Sequence, residues 1–118
     1  MLTLSPSVRV FMAVEPVDMR GSFDALAGTV RRLGLEPLDG HLYVLLSRRR
    51  HLAKVLWFDR TGWCLLSKRL ERGTFQLPSV PEGAAQVPVD AATLASFLAG
   101  IDLAATRRRW FKDREPRA

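Results

Sequence analysis

Between Gly40 and Pro78 the chain reads GHLYVLLSRRRHLAKVLWFDRTGWCLLSKRLERGTFQLP, a series of apolar runs joined by very short links. Leu42–Ser47, Leu52–Asp59 and Gly62–Glu71 are rich in Val, Leu, Trp, Phe and Tyr, which suit a pleated, half-buried surface; Thr74–Leu77 offers a fourth strand. Arg48-Arg49-Arg50, Arg60-Thr61-Gly62 and Arg72-Gly73 make the turns. Links of that length allow antiparallel hairpins and forbid parallel crossovers. In the second strand Leu52, Leu56 and Phe58 share a face with Lys54, while Ala53, Val55 and Trp57 share the other with Asp59. Both faces are apolar, so the second needs a cover: a helix, the C-terminal tail or a second copy of the chain.

The flanking segments supply helices. Val8–Val14 reads as a strand closed by Glu15-Pro16, and Val17–Gly21 as a loop. Ser22 is placed to cap a helix, and Asp24 suits its positive end. Phe23, Leu26, Ala27, Val30 and Leu33 fall on one helical face, and Gly34 can take the left-handed stop. Glu36–Gly40 turns into the sheet. Beyond it, Val87–Val89 reads as extended, Asp90 as a second cap, and Leu94, Phe97, Leu98 and Ile101 as the buried face of a second helix ending near Gly100. The expectation is an α+β fold: a small antiparallel meander of four to five strands with two helices packed on one face. Residues 1–105 form one domain, and 106–118 a basic tail that frays.

Charge is distributed unevenly. Of the net +6, residues 1–47 contribute −1, 48–72 +6, 73–102 −3 and 103–118 +4. One cysteine, Cys64, excludes an internal disulfide and a cysteine-based zinc site, and reads as a small buried hydrophobe. No stretch approaches the roughly 18 apolar residues of a membrane span, so a cytoplasmic protein with no membrane partner is expected.

Carboxylates able to hold catalytic metals would be Asp18, Asp24, Asp39 and Asp59, yet capping or turn chemistry explains each one. His41 and His51 have no second metal ligand at a telling spacing, and Gly21, Gly28 and Gly34 do not form a phosphate loop. No catalytic site, metal or cofactor is expected. Arg48, Arg49, Arg50, Lys54, Lys68, Arg69 and Arg72 form a set suited to phosphates, with Trp57 or Trp63 able to stack on bases if exposed. Alternatively, these charges solvate strand edges. The run Arg107–Lys112 suits a second DNA contact or a partner-docking tail equally.

Asp18-Met19-Arg20 followed by Phe23-Asp24-Ala25-Leu26 resembles the D-M-R-x-x-F-D-x-L opening of the TnpB accessory proteins of insertion-sequence family sixty-six. Gly40–Val44, Lys54–Trp57, Asp59 with Gly62, Lys68–Gly73 and Leu94–Asp102 follow in that family's order, over roughly residues 5 to 105. Gly21-Ser22 and Leu77-Pro78 depart from the family's usual Lys-Gly and Trp-Pro. The resemblance implies a non-catalytic role in bacterial DNA transposition beside a larger transposase that carries the acidic catalytic residues. The implied partners are DNA, the cognate transposase and other element-encoded proteins, with room for a homo-oligomer. Within the family motifs, Asp18, Arg20, Asp59 and Gly62 are expected to be structural, Asp18 and Arg20 by fixing their loop. Two readings follow: a DNA-binding factor, or a module that docks on the transposase without touching DNA.

Overall fold

A computed structural model describes residues 7–100. Its strands are β1 (Val10–Ala13), β2 (Leu42–Leu46), β3 (Leu52–Asp59), β4 (Gly62–Arg69) and β5 (Gln86–Val89). Its helices are α1 (Phe23–Arg32) and α2 (Ala91–Leu98). The strands form one sheet in the order β4-β3-β2-β1-β5, giving an α+β fold whose sheet is mixed and mostly antiparallel.

The hairpins β2-β3-β4 are the expected meander, with Leu46 opposite Ala53 and Asp59 opposite Gly62. The departure is β1, which lies parallel to β2 with Val10 beside Leu42. The link between these strands carries α1, and a link that contains a helix is long enough to bring the chain back parallel. β5 closes the other edge, antiparallel to β1. Pro88 is tolerated there because an edge strand need not use every N–H.

The helices cover opposite faces rather than one. On one side Val10, Met12, Val44, Val55 and their neighbours pack beneath Leu94 and Phe97 of α2. On the other, Ala13, Tyr43, Leu45 and Leu56 pack beneath Leu26, Ala27 and Val30 of α1. All five residues of β2 are buried, as a strand covered on both faces requires. The second apolar face of β3 is thus covered from within the chain.

Thr74–Leu77 is not a strand. Phe75 instead turns inward, is fully buried, and stacks on Phe97 with ring centroids 4.9 Å apart. Ser22 occupies the N-cap of α1 without a side-chain capping bond, whereas Asp90 caps α2 by accepting from the Thr93 N–H at 2.7 Å. Phe23 is 42% exposed and so lies off the buried face of α1. Cys64 is half-buried. Among the described residues no helix is long and apolar enough to cross a membrane. The expected domain boundary near 105, Ile101, Asp102 and the run Arg107–Lys112 lie outside the described residues.

Candidate nucleic-acid interface

Because β1 and β2 are parallel, the loops that follow them leave the same end of the sheet. The β2-β3 turn bends sharply there, with the Arg50 N–H donating to the Ser47 carbonyl at 2.9 Å and Arg50 in the left-handed region at φ 60°. β4 ends there too, since Arg69 pairs with Leu52. The chain beyond it returns to the turn: Leu70 N–H donates to the His51 carbonyl at 2.8 Å, and Phe75 N–H to the Arg50 carbonyl at 2.6 Å. Arg48, Arg49, Arg50, Lys68, Arg69 and Arg72 therefore gather at this end, all exposed. Among the described residues, only Arg69 of this set approaches an acid, Glu71, at 3.7 Å.

Lys54 is placed differently. It is half-buried, and its Nζ donates to the Met19 carbonyl at 2.9 Å. That bond ties the loop after β1 down onto the sheet. The Val17 N–H does the same by donating to the Leu46 carbonyl at 2.9 Å. At the helix entry, a Cβ on Gly21 would lie 2.4 Å from that of Ala25, so the chain passes where only glycine fits.

Asp18 and Arg20 form a two-pronged ion pair, with Arg20 Nη2 donating to Asp18 Oδ2 at 2.8 Å and Nε to Oδ1 at 3.0 Å. The Arg20 backbone N–H also donates to Oδ1. These bonds hold the Asp18 carboxyl down at about 2, and the same side-chain bond raises the Arg20 guanidinium. The pair faces solvent: the side chains are 62% and 91% exposed.

Between this loop and the arginine turn lies an open cleft of about 710 Å³. Pro16, Val17, Met19 and Arg20 line one wall. Ser47, Arg48, Arg49 and His51 line the other. In sequence the D-M-R stretch stands apart from the basic cluster; in space it faces it. The signal for that juxtaposition was a strand, a helix and a strand in succession, the pattern of a parallel unit.

The remaining candidates lie elsewhere. Asp59 and Gly62 pair across the β3-β4 turn, where Arg60 takes φ 43° and the Thr61 N–H folds back on the Asp59 carbonyl. That turn is roughly 24 Å from the arginine turn, at about 3.4 Å per residue along β3. Trp63 packs edge-on against Phe58 with centroids 5.1 Å apart, and Trp57 is half-buried against the core on the α2 side, so neither joins the cationic end. Asp39 accepts from the Tyr43 hydroxyl at 2.7 Å and from the His41 N–H at 2.8 Å. Burial and Asp39 together push the Tyr43 hydroxyl well above its ordinary pKa. His41 Nδ1 accepts from the Arg9 N–H at 2.9 Å. Among the described residues, no three His, Cys, Asp or Glu side chains gather as metal ligands.

The family model described as IS66 Orf2 like protein matches residues 8–108. The uncharacterized protein y4hO of Sinorhizobium fredii is 42% identical over 111 residues, covering 93% of this chain and 95% of that protein. The uncharacterized protein y4jC of the same organism is 29% identical over 110 residues, covering 92% of each. No solved structure matches significantly. With the D-M-R loop, the strand β2 and the Lys-Arg end of β4 all inside the matched span, the chain belongs to the IS66 Orf2-like family, the TnpB accessory proteins of DNA transposition.

Proposed function

We propose that this protein binds DNA through the cationic end of its sheet and so assists a separate transposase, without itself performing the strand chemistry. The observation that carries this reading is the convergence of Arg48, Arg49, Arg50, Lys68, Arg69 and Arg72 on one exposed end, with Glu71 the one acid among the described residues within ion-pair reach of any of them. Such a density of like charge repels itself and is relieved by an anionic partner. Its arginines suit the geometry of phosphate oxygens. The described carboxylates are dispersed: Asp18 is held by Arg20, Asp39 by Tyr43 and His41, and Asp59 lies at the opposite end.

Binding to duplex DNA across a salt series tests it. If about four cations meet phosphates, log affinity falls against log salt with a slope near −3.6. Replacing Arg48, Arg49 and Arg50 together by Ala flattens that slope by up to about 2.7 while leaving the melting temperature unchanged, since exposed turn charges contribute little to stability. The second reading, docking on the transposase, is favoured by one observation: β4 is an edge strand with Leu66 39% exposed, open to an added strand. It forecasts that the triple variant keeps its DNA affinity and that capture of the transposase depends on the β4 edge.

A further inference from the structure

The cleft between the D-M-R loop and the arginine turn has two chemically different sides. Exposed Pro16 and the half-buried Val17 and Met19, which also pack on the core beneath α1, give an apolar wall; Arg48, Arg49 and His51 face it with cationic and aromatic groups, and Arg20 stands at the rim. Among the described residues its one carboxylate, Asp18, is already neutralised by Arg20. The walls are held in place from below. Lys54 pins Met19, Leu46 pins Val17, and the close passage of Gly21 over Ala25 fixes where the loop enters α1. The cleft opens at the carboxyl ends of the parallel strands β1 and β2. Its volume, about 710 Å³, is that of a site for one small organic group.

An apolar wall opposite guanidinium groups matches the two halves of a nucleotide. Unpaired bases stack on apolar, aromatic and guanidinium surfaces in sequence-tolerant fashion, while arginine holds the phosphate. We propose that this cleft receives one unpaired nucleotide of a DNA strand, its base against Pro16, Val17 and Met19 and its phosphate against Arg48 and Arg49. This rests on the reading that the cationic end binds DNA, and adds to it a preference for strand ends or other places where pairing is broken. The exposed cations of the same end that lie outside the cleft, Arg50, Lys68, Arg69 and Arg72, then serve the adjoining duplex backbone.

The full chain is titrated with two hairpin DNAs that share one duplex, one blunt and one carrying a short thymidine overhang. The overhang is expected to tighten binding about tenfold, the size of one stacked base. Pro16→Glu, at an exposed position, and Met19→Glu each place a carboxylate in the cleft and should abolish that gain while leaving blunt-hairpin affinity within about threefold. A photoreactive thymidine analogue in the overhang should cross-link to the segments 16–20 or 47–51, a readout that needs no variant. Equal affinity for the two hairpins, or a gain that survives both substitutions with cross-links elsewhere, overturns the cleft proposal while leaving duplex binding standing. Failure to bind either hairpin overturns both readings.

Discussion

At the end of the sheet where β3 turns into β4, the polar side chains of Tyr43, Asp39, His41 and Asp90 are spent on the fold. Tyr43 donates its hydroxyl to Asp39, Asp39 also receives the His41 N–H, His41 receives the Arg9 N–H, and Asp90 caps α2. At the opposite end, 48–50, 68–69 and 72 carry exposed cations, and the ion pair Asp18–Arg20 stands in solvent. That second end is held together by other means: backbone bonds from Leu70 and Phe75 to the β2-β3 turn, the Lys54 bond to Met19, and Phe75 buried against Phe97. Polar groups that hold a fold are used up by it. Groups that the fold positions but does not consume are available to a partner.

The largest expected effect on stability comes from the anchor of the cationic end. Phe75→Ala removes a fully buried ring that stacks on Phe97, and should cost about 3–5 kcal/mol. In a domain stabilised by about 5–15 kcal/mol this is a large fraction, readable by denaturant unfolding. The triple arginine variant, in the turn whose Arg50 carbonyl accepts from the Phe75 N–H, should leave the same curve unmoved. If instead the arginines cost stability and Phe75 does not, the division between anchoring and exposed groups fails.

At the other end, Tyr43→Phe deletes a part-buried hydroxyl whose one proton goes to the Asp39 carboxylate at 2.7 Å, with the Glu36 carbonyl at 3.0 Å beside it. Bonds to charged groups are worth about 1.5–3 kcal/mol, so this variant should melt lower yet bind DNA as the parent does. A change in DNA affinity without a change in stability would assign this end to a partner as well.

How far these features were legible in the sequence depends on whether they are local. The extent of β3, Leu52–Asp59, follows from its apolar alternation and the turns beside it, and the Asp90 cap from residue type and position. The pairing of β1 with β2 was not legible from turn lengths, because the link between them is long and its return direction is set by where α1 packs. With that pairing unseen, Asp18 and Arg49 could not be brought to one cleft. Lys54 shows a different limit. Alternation placed it beside Leu56 on a buried face, which is a position for a side chain with a structural partner, yet its charge grouped it with the turn arginines. Phe75 reads as strand by composition, but a single buried ring meets the need for cover without any ladder.

A smaller effect is expected at the loop entry. Gly21→Ala sets a Cβ against the Ala25 Cβ, which is fixed to the helix and cannot swing away. Overpacking of this kind costs about 1–3 kcal/mol when the backbone must move. Here the moving part is the D-M-R loop, so amide resonances of residues 16–22 should shift more than those of β3 and β4. The gain from a thymidine overhang should weaken with them, while blunt-duplex affinity is kept. Uniform shifts across the sheet would mean that the loop is not a separate wall.

The smallest effect on stability, and the sharpest on titration, is expected at Asp18. Its carboxyl is held at about 2 instead of 3.8, chiefly by the side-chain bond from Arg20. A depressed carboxylate contributes stability that is present above its unfolded value and lost as pH falls through its folded one, so any contribution fades between about 3.8 and 2. Both side chains are solvent-exposed, and screening leaves such a pair little net worth. Asp18→Asn should therefore leave the melting temperature at neutral pH unchanged within error. Carboxyl-detected NMR should place the Asp18 midpoint near 2 in the parent, and Arg20→Ala should return it toward 3.8. Saturating overhang DNA provides the further comparison. If a phosphate at the rim draws Arg20 away, the Asp18 midpoint rises in the complex; if it stays near 2, Arg20 remains bound to its own loop and only Arg48 and Arg49 meet the strand.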